Sequence, residues 1–360
     1  MKILLYSSLA EDTGGAIRAA YIREALERCG HDVVYVKPLK KTRPLKFDFL
    51  LSLPSYTFAA LTTPCHVAMA IKPYPNTGLP LLLRKMLGTK IVIDVDDLDY
   101  AYREGGIISW VGEKIQKPFP RLCDMVTYHN DNLFHHLTED FNVAPDKLYR
   151  LDQGIDIKQF DDKAVHEKTR KNLIERYDLK EKKIVTYVAH LDPACDLDAI
   201  LEGLPMVREA VPDFCLVVVG GGLFEKQFRQ LAERLGVGDC VRFTGLLPKE
   251  GVIPFIAIAD CCVVYYKDRK ANYCRTSMKL REYISMGKRV VCNDVSELAK
   301  HKDYTYQTKT SVPEFSRMLI DVLKGKSDGR EERGKTCMRE NFSWDVLSGK
   351  LGKKMETLVR

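Results

Sequence analysis

Short apolar runs alternate with helical segments along most of the chain. Such runs, rich in β-branched residues, are typical of strands buried on both faces of a parallel sheet. In the first half we predict strands at residues 3–6, 31–37, 49–53, 67–71, 90–94, 125–129 and 148–151. A second series follows at residues 184–189, 214–219, 241–243 and 261–266. This alternation on both sides of a charged connector predicts an α/β fold with two doubly wound, Rossmann-like domains facing across a cleft.

The length of the chain also favours two domains. It has 360 residues, and a single hydrophobic core seldom grows beyond about 250–300 residues. We place the N-terminal domain at residues 1–160 and the C-terminal domain at residues 161–340. Residues 341–360 are predicted to form a helix that packs back on the N-terminal domain.

The charge is modestly basic, at +7, and we expect no nucleic-acid partner. The clearest basic cluster has no acid between residues 37 and 47 and consists of Lys37, Lys40, Lys41, Arg43 and Lys46. Such a run can contact anionic lipid at a membrane surface, or it can be a solvated loop.

Cysteine usage indicates a reducing compartment. The eleven cysteines include no C-x-x-C pair, and several lie in apolar runs where a free thiol packs as a small hydrophobe. The first apolar run is too short for a signal peptide. Residues 49–71 lack charge, but their prolines and hydroxyls favour a strand, a bend and a second strand over a membrane span. We therefore expect the protein in the cytoplasm or at the inner face of the membrane.

Residues 265–292 contain more candidate ligand-binding features than any other stretch of the chain. A strand ends in a basic loop, Ser277 is a typical N-cap residue, and Gly287 stops the helix predicted at residues 278–286. A helix N-terminus beside basic residues is suited to a polyanion such as a diphosphate. Glu282 lies off the apolar stripe of this helix, so its carboxylate can face a ligand such as a ribose. The alternative is a capped surface helix with ordinary charges.

Several polar residues of the first half follow predicted strands. Asp94, Asp96 and Asp97 stand at the functional edge of an open sheet, where they can hold a metal, bind sugar hydroxyls or cap a turn. His129 can polarise an acceptor hydroxyl, or it can serve in capping or packing. The Gly14-Gly15 pair is either a simple tight turn or a place where a ligand approaches backbone.

One polar stretch carries apolar residues in a pattern that favours exposure. They are Ile107, Ile108, Trp110 and Val111, and they suggest contact with an acceptor or a membrane.

Taken in order, several motifs resemble the retaining glycosyltransferases of family 4, the "group 1" enzymes of the GT-B fold. The motifs are the Gly14-Gly15 turn, LDQGIDIKQF at 151–160, LVVVGGG at 216–222, VRFTGLLPKE at 241–250, SMKLREYISMGKRVV at 277–291 and FSWDV at 342–346. The resemblance covers nearly the whole chain and is strongest in the second half.

The resemblance implies transfer of a sugar from a nucleotide diphosphate-sugar to a hydroxyl, with retention and without a metal. Glu282 matches the glutamate that binds the ribose, and the amides of Ser277 and Met278 match the diphosphate-binding helix start. Leu246 and Leu247 match the loop beside the base. The first half would bind the acceptor, a glycan or a lipid-linked sugar, near Gly14, Gly15, Asp96, Asp97 and His129.

Three positions depart from the family pattern. Cys274 stands where the family has a second glutamate, and His190 and Cys195 stand where it has a phosphate-binding arginine and lysine. Charge for the leaving diphosphate would then come from His190, Arg275 or Lys279, with Arg269 and Lys270 as further sources. An inactive relative that binds a sugar nucleotide or a partner protein remains the alternative.

Overall fold

The computed structural model describes residues 1–8, 14–38, 47–102, 106–192 and 194–360. The chain forms two compact units. The first comprises Met1–Gly154, Cys274–Thr276 and Phe342–Arg360, and the second comprises Ile155–Tyr273 and Ser277–Asn341. The chain therefore completes most of one unit, builds the other and returns to the first with its C-terminal segment.

A six-stranded sheet forms the centre of the first unit. Its strands are β1 (Lys2–Ser7), β2 (Asp32–Val36), β3 (Val67–Ile71), β4 (Lys90–Asp94), β5 (Met125–Tyr128) and β6 (Leu148–Arg150). They pair in the order β2-β1-β3-β4-β5-β6, always in parallel. Residues 3–6 of β1 are completely buried, as expected for a strand covered on both faces.

Helices cover this sheet and return the chain between its strands. They are α1 (Gly14–Arg28), α2 (Leu53–Thr62), α3 (Pro75–Met86), α4 (Ile107–Gln116), α5 (Pro118–Leu122), α6 (Asp131–His135) and the C-terminal helix (Trp344–Val359). The C-terminal helix shares an apolar core with α1, and its Trp344 ring stacks 5.7 Å from that of Tyr21.

The strand predicted at residues 49–53 is wrong. Phe47–Ser52 form a 3-10 helix, and α2 follows directly. Pro54 stands in the first turn of α2, where its fixed φ and missing N–H are well tolerated. Tyr56 and Ala60, one helical turn apart, supply the buried face. Of the two strands predicted in residues 49–71, only the second is formed, as β3.

A second six-stranded parallel sheet forms the centre of the second unit. Its strands are β7 (Lys183–Val188), β8 (Phe214–Val219), β9 (Val241–Phe243), β10 (Cys261–Val264), β11 (Val290–Asn293) and β12 (Tyr306–Thr308), in the order β12-β11-β10-β7-β8-β9. Its helices are α7 (Glu167–Arg176), α8 (Leu197–Ala210), α9 (Glu225–Arg234), α10 (Lys249–Ala257), α11 (Lys270–Cys274), α12 (Met278–Ser285), α13 (Val312–Leu323) and α14 (Arg330–Asn341). The predicted α/β class with two Rossmann-like sheets is confirmed.

A buried arginine ties the first unit together. Arg18 of α1 is 1% exposed, and its Nε and Nη2 donate to the carboxylate of Asp94 at 2.7 and 3.0 Å. The same guanidinium donates to the carbonyl of Leu151 and the side chain of Gln153, and it lies 5.6 Å from the ring of Trp344. Burial lowers the pKa of Arg18, but Asp94 more than compensates and raises it overall. One side chain thus connects α1, β4, the segment after β6 and the C-terminal helix.

Arg18→Met should lower the free energy of unfolding by about 3–5 kcal/mol, because it leaves the Asp94 carboxylate buried without its charge partner. Urea unfolding measures the effect. Arg28→Met is a matched control on the same helix, since Arg28 pairs with Asp345 in an exposed contact, and it should cost less than about 1 kcal/mol. Equal effects of the two substitutions would contradict the role given to Arg18.

Candidate functional site

The second sheet has a switch point between β7 and β10. From there the chain proceeds to β8 and β9 on one side and to β11 and β12 on the other. In open parallel sheets the loops at the carboxyl ends of such neighbouring strands diverge and leave a crevice that binds ligands. The loops in question are residues 189–196 after β7 and residues 265–276 after β10.

Asp196 joins these two loops. It adopts a left-handed conformation, with φ 53°, and is 3% exposed. Its carboxylate accepts hydrogen bonds from the amide of Lys267 at 3.1 Å and from Nδ2 of Asn272 at 2.8 Å, and it pairs with Nη2 of Arg269 at 2.6 Å. The carboxylate therefore fixes the backbone of the loop after β10. Sequence reasoning missed this role of Asp196.

The loop after β10 is less basic than its sequence predicts. Arg269 is paired with Asp196, and Lys267 is paired with Asp198 at 2.5 Å. A carboxylate distant in sequence already compensates Arg269, and its contact with an anion stays a prediction. Lys270 and Lys279 enter no ion pair within the described residues.

A glycine turn after β8 lies between the turns after β7 and β9. A Cβ on Gly221 would come 2.7 Å from the amide nitrogen of Leu246, and one on Gly222 would meet the carbonyl of Leu191. Nδ1 of His190 donates to the carbonyl of Gly221 at 2.8 Å, so the neutral ring presents Nε2 as an acceptor. His190 is exposed, as is Leu246, whereas Leu247 is half-buried.

Helix α12 begins as predicted. Ser277 is the N-cap residue, and its Oγ accepts from the amide of Leu280 at 3.1 Å. Gly287 ends the helix with a φ of 67°. The amide of Val188, at the end of β7, donates to the hydroxyl of Tyr283 at 2.9 Å. The start of α12 is thereby fixed beside the switch point, with amides in its first turn that the helix does not use.

Glu282 lies off the buried face of α12, which is formed by Leu280, Tyr283 and Ile284. Its side chain is half-buried, yet its carboxylate makes no hydrogen bond or ion pair within the described residues. Burial raises its pKa, and Lys279 and Lys249 offset this only in part. Such a partly desolvated carboxylate is costly to the free protein when it is ionised, and it is suited to a ligand that donates hydrogen bonds.

Of the two cysteines at departing positions, Cys195 supplies no charge. Cys195 is buried, and burial raises its pKa to about 11, so the thiol stays neutral at neutral pH. Cys274 is also buried. Arg275 and Lys279, both half-buried, are the cations nearest in sequence to the start of α12.

The first unit has its own switch point, between β1 and β3, and the lysine there was missed by sequence reasoning. Lys72 follows β3 with a φ of 69° and is 5% exposed. Its Nζ lies 2.7 Å from Asp99 and 3.5 Å from Asp96, and the hydroxyl of Tyr74 donates to Asp99. A Cβ on Gly15 would come 2.7 Å from Cε of Lys72. The sequence signal that could have indicated Lys72 is its position directly after a long run of residues without charge.

The charges of this cluster perturb one another. Burial lowers the pKa of Lys72, but Asp96 and Asp99 raise it well above its usual value. Burial raises the pKa of Asp96 even though Lys72 lowers it. One lysine faces two carboxylates here, which leaves the cluster with an excess of negative charge.

The remaining acceptor-side candidates have identifiable local contacts. Asp97 accepts a hydrogen bond from the amide of Leu98, and the buried His129 donates from Nε2 to the carbonyl of Asp96. Asp94 is committed to Arg18. Gly14 is exposed. Within the described residues no group of three or more His, Cys, Asp or Glu side chains is placed to hold a metal ion.

The predicted membrane-contact residues are only partly described. Ile107 and Trp110 are exposed, Val111 is half-buried, and the side chain of Ile108 lies outside the described part. Lys37 is exposed, while Lys40, Lys41, Arg43 and Lys46 lie outside the described residues. Among the helices of the described ranges, none has the length and apolarity needed to cross a bilayer.

Asp196→Ala should accelerate hydrogen exchange of the amides in residues 267–274 by about tenfold or more, because the loop loses the acceptor of its two hydrogen bonds and of the Arg269 pair. Asp198→Ala is the matched control, since it removes the partly exposed pair with the Lys267 side chain and a hydrogen bond from the amide of Ala199, neither of which holds the backbone of residues 267–274. Mass spectrometry of exchange resolves the segment. Unchanged exchange in the Asp196 variant would contradict the role of this carboxylate.

Glu282→Gln should stabilise the free protein at neutral pH. Because burial raises the pKa of Glu282 in the folded state, folding favours its protonated form. The stability that comes from this protonated carboxyl is present at low pH and is lost as the pH rises through the pKa of Glu282 in the folded state. The stability gain of Glu282→Gln should therefore shrink as the pH falls, as measured by urea unfolding between pH 5 and 8. Glu209→Gln, on the exposed side of α8, should show no such dependence.

Comparison with known proteins finds similarity to one family over the second half of the chain. Residues 169–335 match the family model described as glycosyl transferases group 1. A GDP-mannose-dependent alpha-(1-6)-phosphatidylinositol monomannoside mannosyltransferase of Mycobacterium tuberculosis is 32% identical over 237 residues, which cover 63% of this chain and 60% of that enzyme. The chain thus aligns with less than two thirds of that relative.

Solved structures match the whole chain. Sucrose-phosphate synthase from Thermosynechococcus elongatus superposes with a TM-score of 0.81 at 16% identity, over 99% of both chains. WaaG, a glycosyltransferase involved in lipopolysaccharide biosynthesis, superposes with a TM-score of 0.74 at 15% identity, also over 99% of both. At these identities the likeness concerns the fold. Residues 169–335 are therefore similar to the group 1 glycosyl transferases, and the full length of the chain has the GT-B fold.

Proposed function

We propose that the chain is a glycosyltransferase that moves a sugar from a nucleoside diphosphate-sugar to a hydroxyl group of an acceptor, with retention. The observation that carries this proposal is Glu282, a half-buried carboxylate without a partner in the described residues, on the helix that Ser277 caps at its start. Two vicinal hydroxyls of a ribose would satisfy both carboxylate oxygens and offset their desolvation.

The start of α12 suits the diphosphate. The amides of Ser277 and Met278 and the positive end of the helix dipole would bind phosphate oxygens. When the bond between the sugar and the β-phosphate breaks, its electron pair stays on the phosphate. Lys279, Arg275 and the exposed His190 are the residues we assign to stabilising that charge. Leu246 and Leu247 would border the base.

The acceptor is assigned to the first unit. The half-buried Asp96 carboxylate, with Lys72 beside it, would accept a hydrogen bond from an acceptor hydroxyl. Gly14 and Gly15 would allow close approach to backbone, while Asp97 and His129 would hold the loop after β4 in place. With retention, the acceptor hydroxyl attacks from the same face of the sugar that the diphosphate leaves.

The relatives indicate where to look for the substrates. The printed name of the mycobacterial relative gives GDP-mannose as its donor and a phosphatidylinositol monomannoside as its acceptor. We infer that a GDP-activated hexose and a lipid-linked acceptor are the first substrates to try.

We also infer action in a reducing compartment at a membrane surface. All eleven cysteines are free, and eight of them are buried. The cluster of Lys37, Lys40, Lys41, Arg43 and Lys46 would supply contacts to anionic headgroups. We assign no metal cofactor, because helix dipole and cations would neutralise the diphosphate.

Incubating the protein with a panel of nucleotide-sugars and acceptors, and measuring release of nucleoside diphosphate, tests this function. Turnover should persist in EDTA. Glu282→Gln should weaken donor binding in calorimetric titration by about 1–3 kcal/mol, the range for losing charged hydrogen bonds, whereas Glu209→Gln should not. Donor binding without turnover would instead indicate a sugar-nucleotide-binding pseudoenzyme, and unchanged affinity of Glu282→Gln would remove Glu282 from the site.

A further inference from the structure

Helix α2 is apolar on its outer face as well as on its inner one. Tyr56 and Ala60 are buried inside. The residues that recur at helical spacing on the outside are Leu51, just before the helix, and Pro54, Phe58 and Leu61, all of them exposed. Phe58 is 68% and Leu61 57% exposed. A helix that is apolar all round is expected inside a core or at an apolar phase, not in water.

The neighbouring helices α3 and α5 extend this face. Nη1 of Arg84 on α3 donates to the carbonyl of Ala60 on α2, and Gly78 on the other side of α3 abuts the ring of Phe119 on α5. Leu81, between those two contacts on the inner side, is buried. The residues between them on the outer side are Leu79, Leu83 and Met86. The three helices thus form one layer whose outer surface is largely apolar.

Cations border this surface. A groove of about 430 Å³ between α3 and α5 is lined by Leu82, Met86 and Leu122 together with Lys85, Arg121 and Lys147. Lys85 pairs with Asp124, whereas Arg121 and Lys147 enter no ion pair within the described residues. The sequence from residue 49 to residue 93 contains no Asp or Glu at all. An apolar surface with a cationic border is complementary to anionic amphiphiles.

We propose that the outer face of α2 and α3, continued by α5, docks on an anionic lipid bilayer. Leu51, Phe58, Leu61 and Met86 enter the acyl–headgroup boundary, while Arg121 and Lys147 contact lipid phosphates. The helix lies in the interface, since α2 has ten residues and a span needs about 20. A second copy of the chain does not suit this surface, because a symmetric contact would bring two surfaces with cationic borders together. The proposal rests on the inferred action at a membrane surface and names the element responsible.

Co-sedimentation of the full chain with vesicles tests the proposal without requiring turnover. Binding to phosphatidylcholine vesicles containing phosphatidylglycerol should exceed binding to pure phosphatidylcholine and should weaken with salt. Phe58→Ser combined with Leu61→Ser should lower the partition coefficient by about tenfold or more, because two large apolar side chains no longer leave water. The control pair Met206→Ser and Val359→Ser, at exposed apolar sites on other elements, should leave it unchanged.

Further experiments distinguish docking through α2 and α3 from the alternatives. Arg121→Gln with Lys147→Gln should reduce binding to the anionic vesicles only. The proposal would be overturned in favour of α4 if the Phe58/Leu61 variant still bound vesicles fully and the double variant Ile107→Ser plus Trp110→Ser lost vesicle binding. A dimer in solution that the Phe58/Leu61 variant dissociates, with vesicle binding intact, would assign the face to a second copy. Diphosphate release with a water-soluble acceptor should be unaffected in the Phe58/Leu61 variant, so failure of docking and failure of the glycosyltransferase function are distinguishable.

Discussion

Both sheets are wholly parallel, and this constraint determines where chemistry is possible in the protein. Parallel strands need crossovers over the faces of the sheet, which bury the strands and leave only their ends for polar groups. All carboxyl ends then share one edge. In the second unit that edge holds His190, Asp196, Glu282 on the adjacent helix, and the glycine turn after β8. In the first it holds Lys72 and the acids after β4.

Two charged side chains, Arg18 of the first unit and Glu282 of the second, differ in how the fold compensates them. Arg18 has a carboxylate, an amide oxygen and a carbonyl around it, so its charge is fully used in holding the first unit together. Glu282 has no such partners in the described part of the chain. Removing the partner of a buried, paired charge destabilises the fold. A partly buried charge without a partner instead gains free energy when a ligand supplies the missing hydrogen bonds. This difference is the reason that we assign Arg18 to stability and Glu282 to ligand binding.

Local signals made part of this structure predictable. Strand β8 and the Ser277 cap of α12 follow from an unbroken apolar run and from a hydroxyl before a helical stripe. The strand predicted at residues 49–53 is instead part of the 3-10 helix before α2. A short apolar run without charge has no period that distinguishes a strand from a helix. Lys72 and Asp196 were missed for a different reason. Lys72 binds an acid 27 positions away, and Asp196 binds an amide 76 positions away, so their roles arise only in the folded chain.

Hydrogen–deuterium exchange of the full chain with and without a saturating nucleoside diphosphate tests donor binding by the second unit most directly. If the diphosphate lies at the start of α12 and the ribose on Glu282, amides in residues 277–282 and in the turn at residues 220–222 should exchange more slowly when the nucleotide is bound. Nucleotide binding that leaves residues 277–282 unprotected, or that protects segments of the first unit alone, would contradict this assignment.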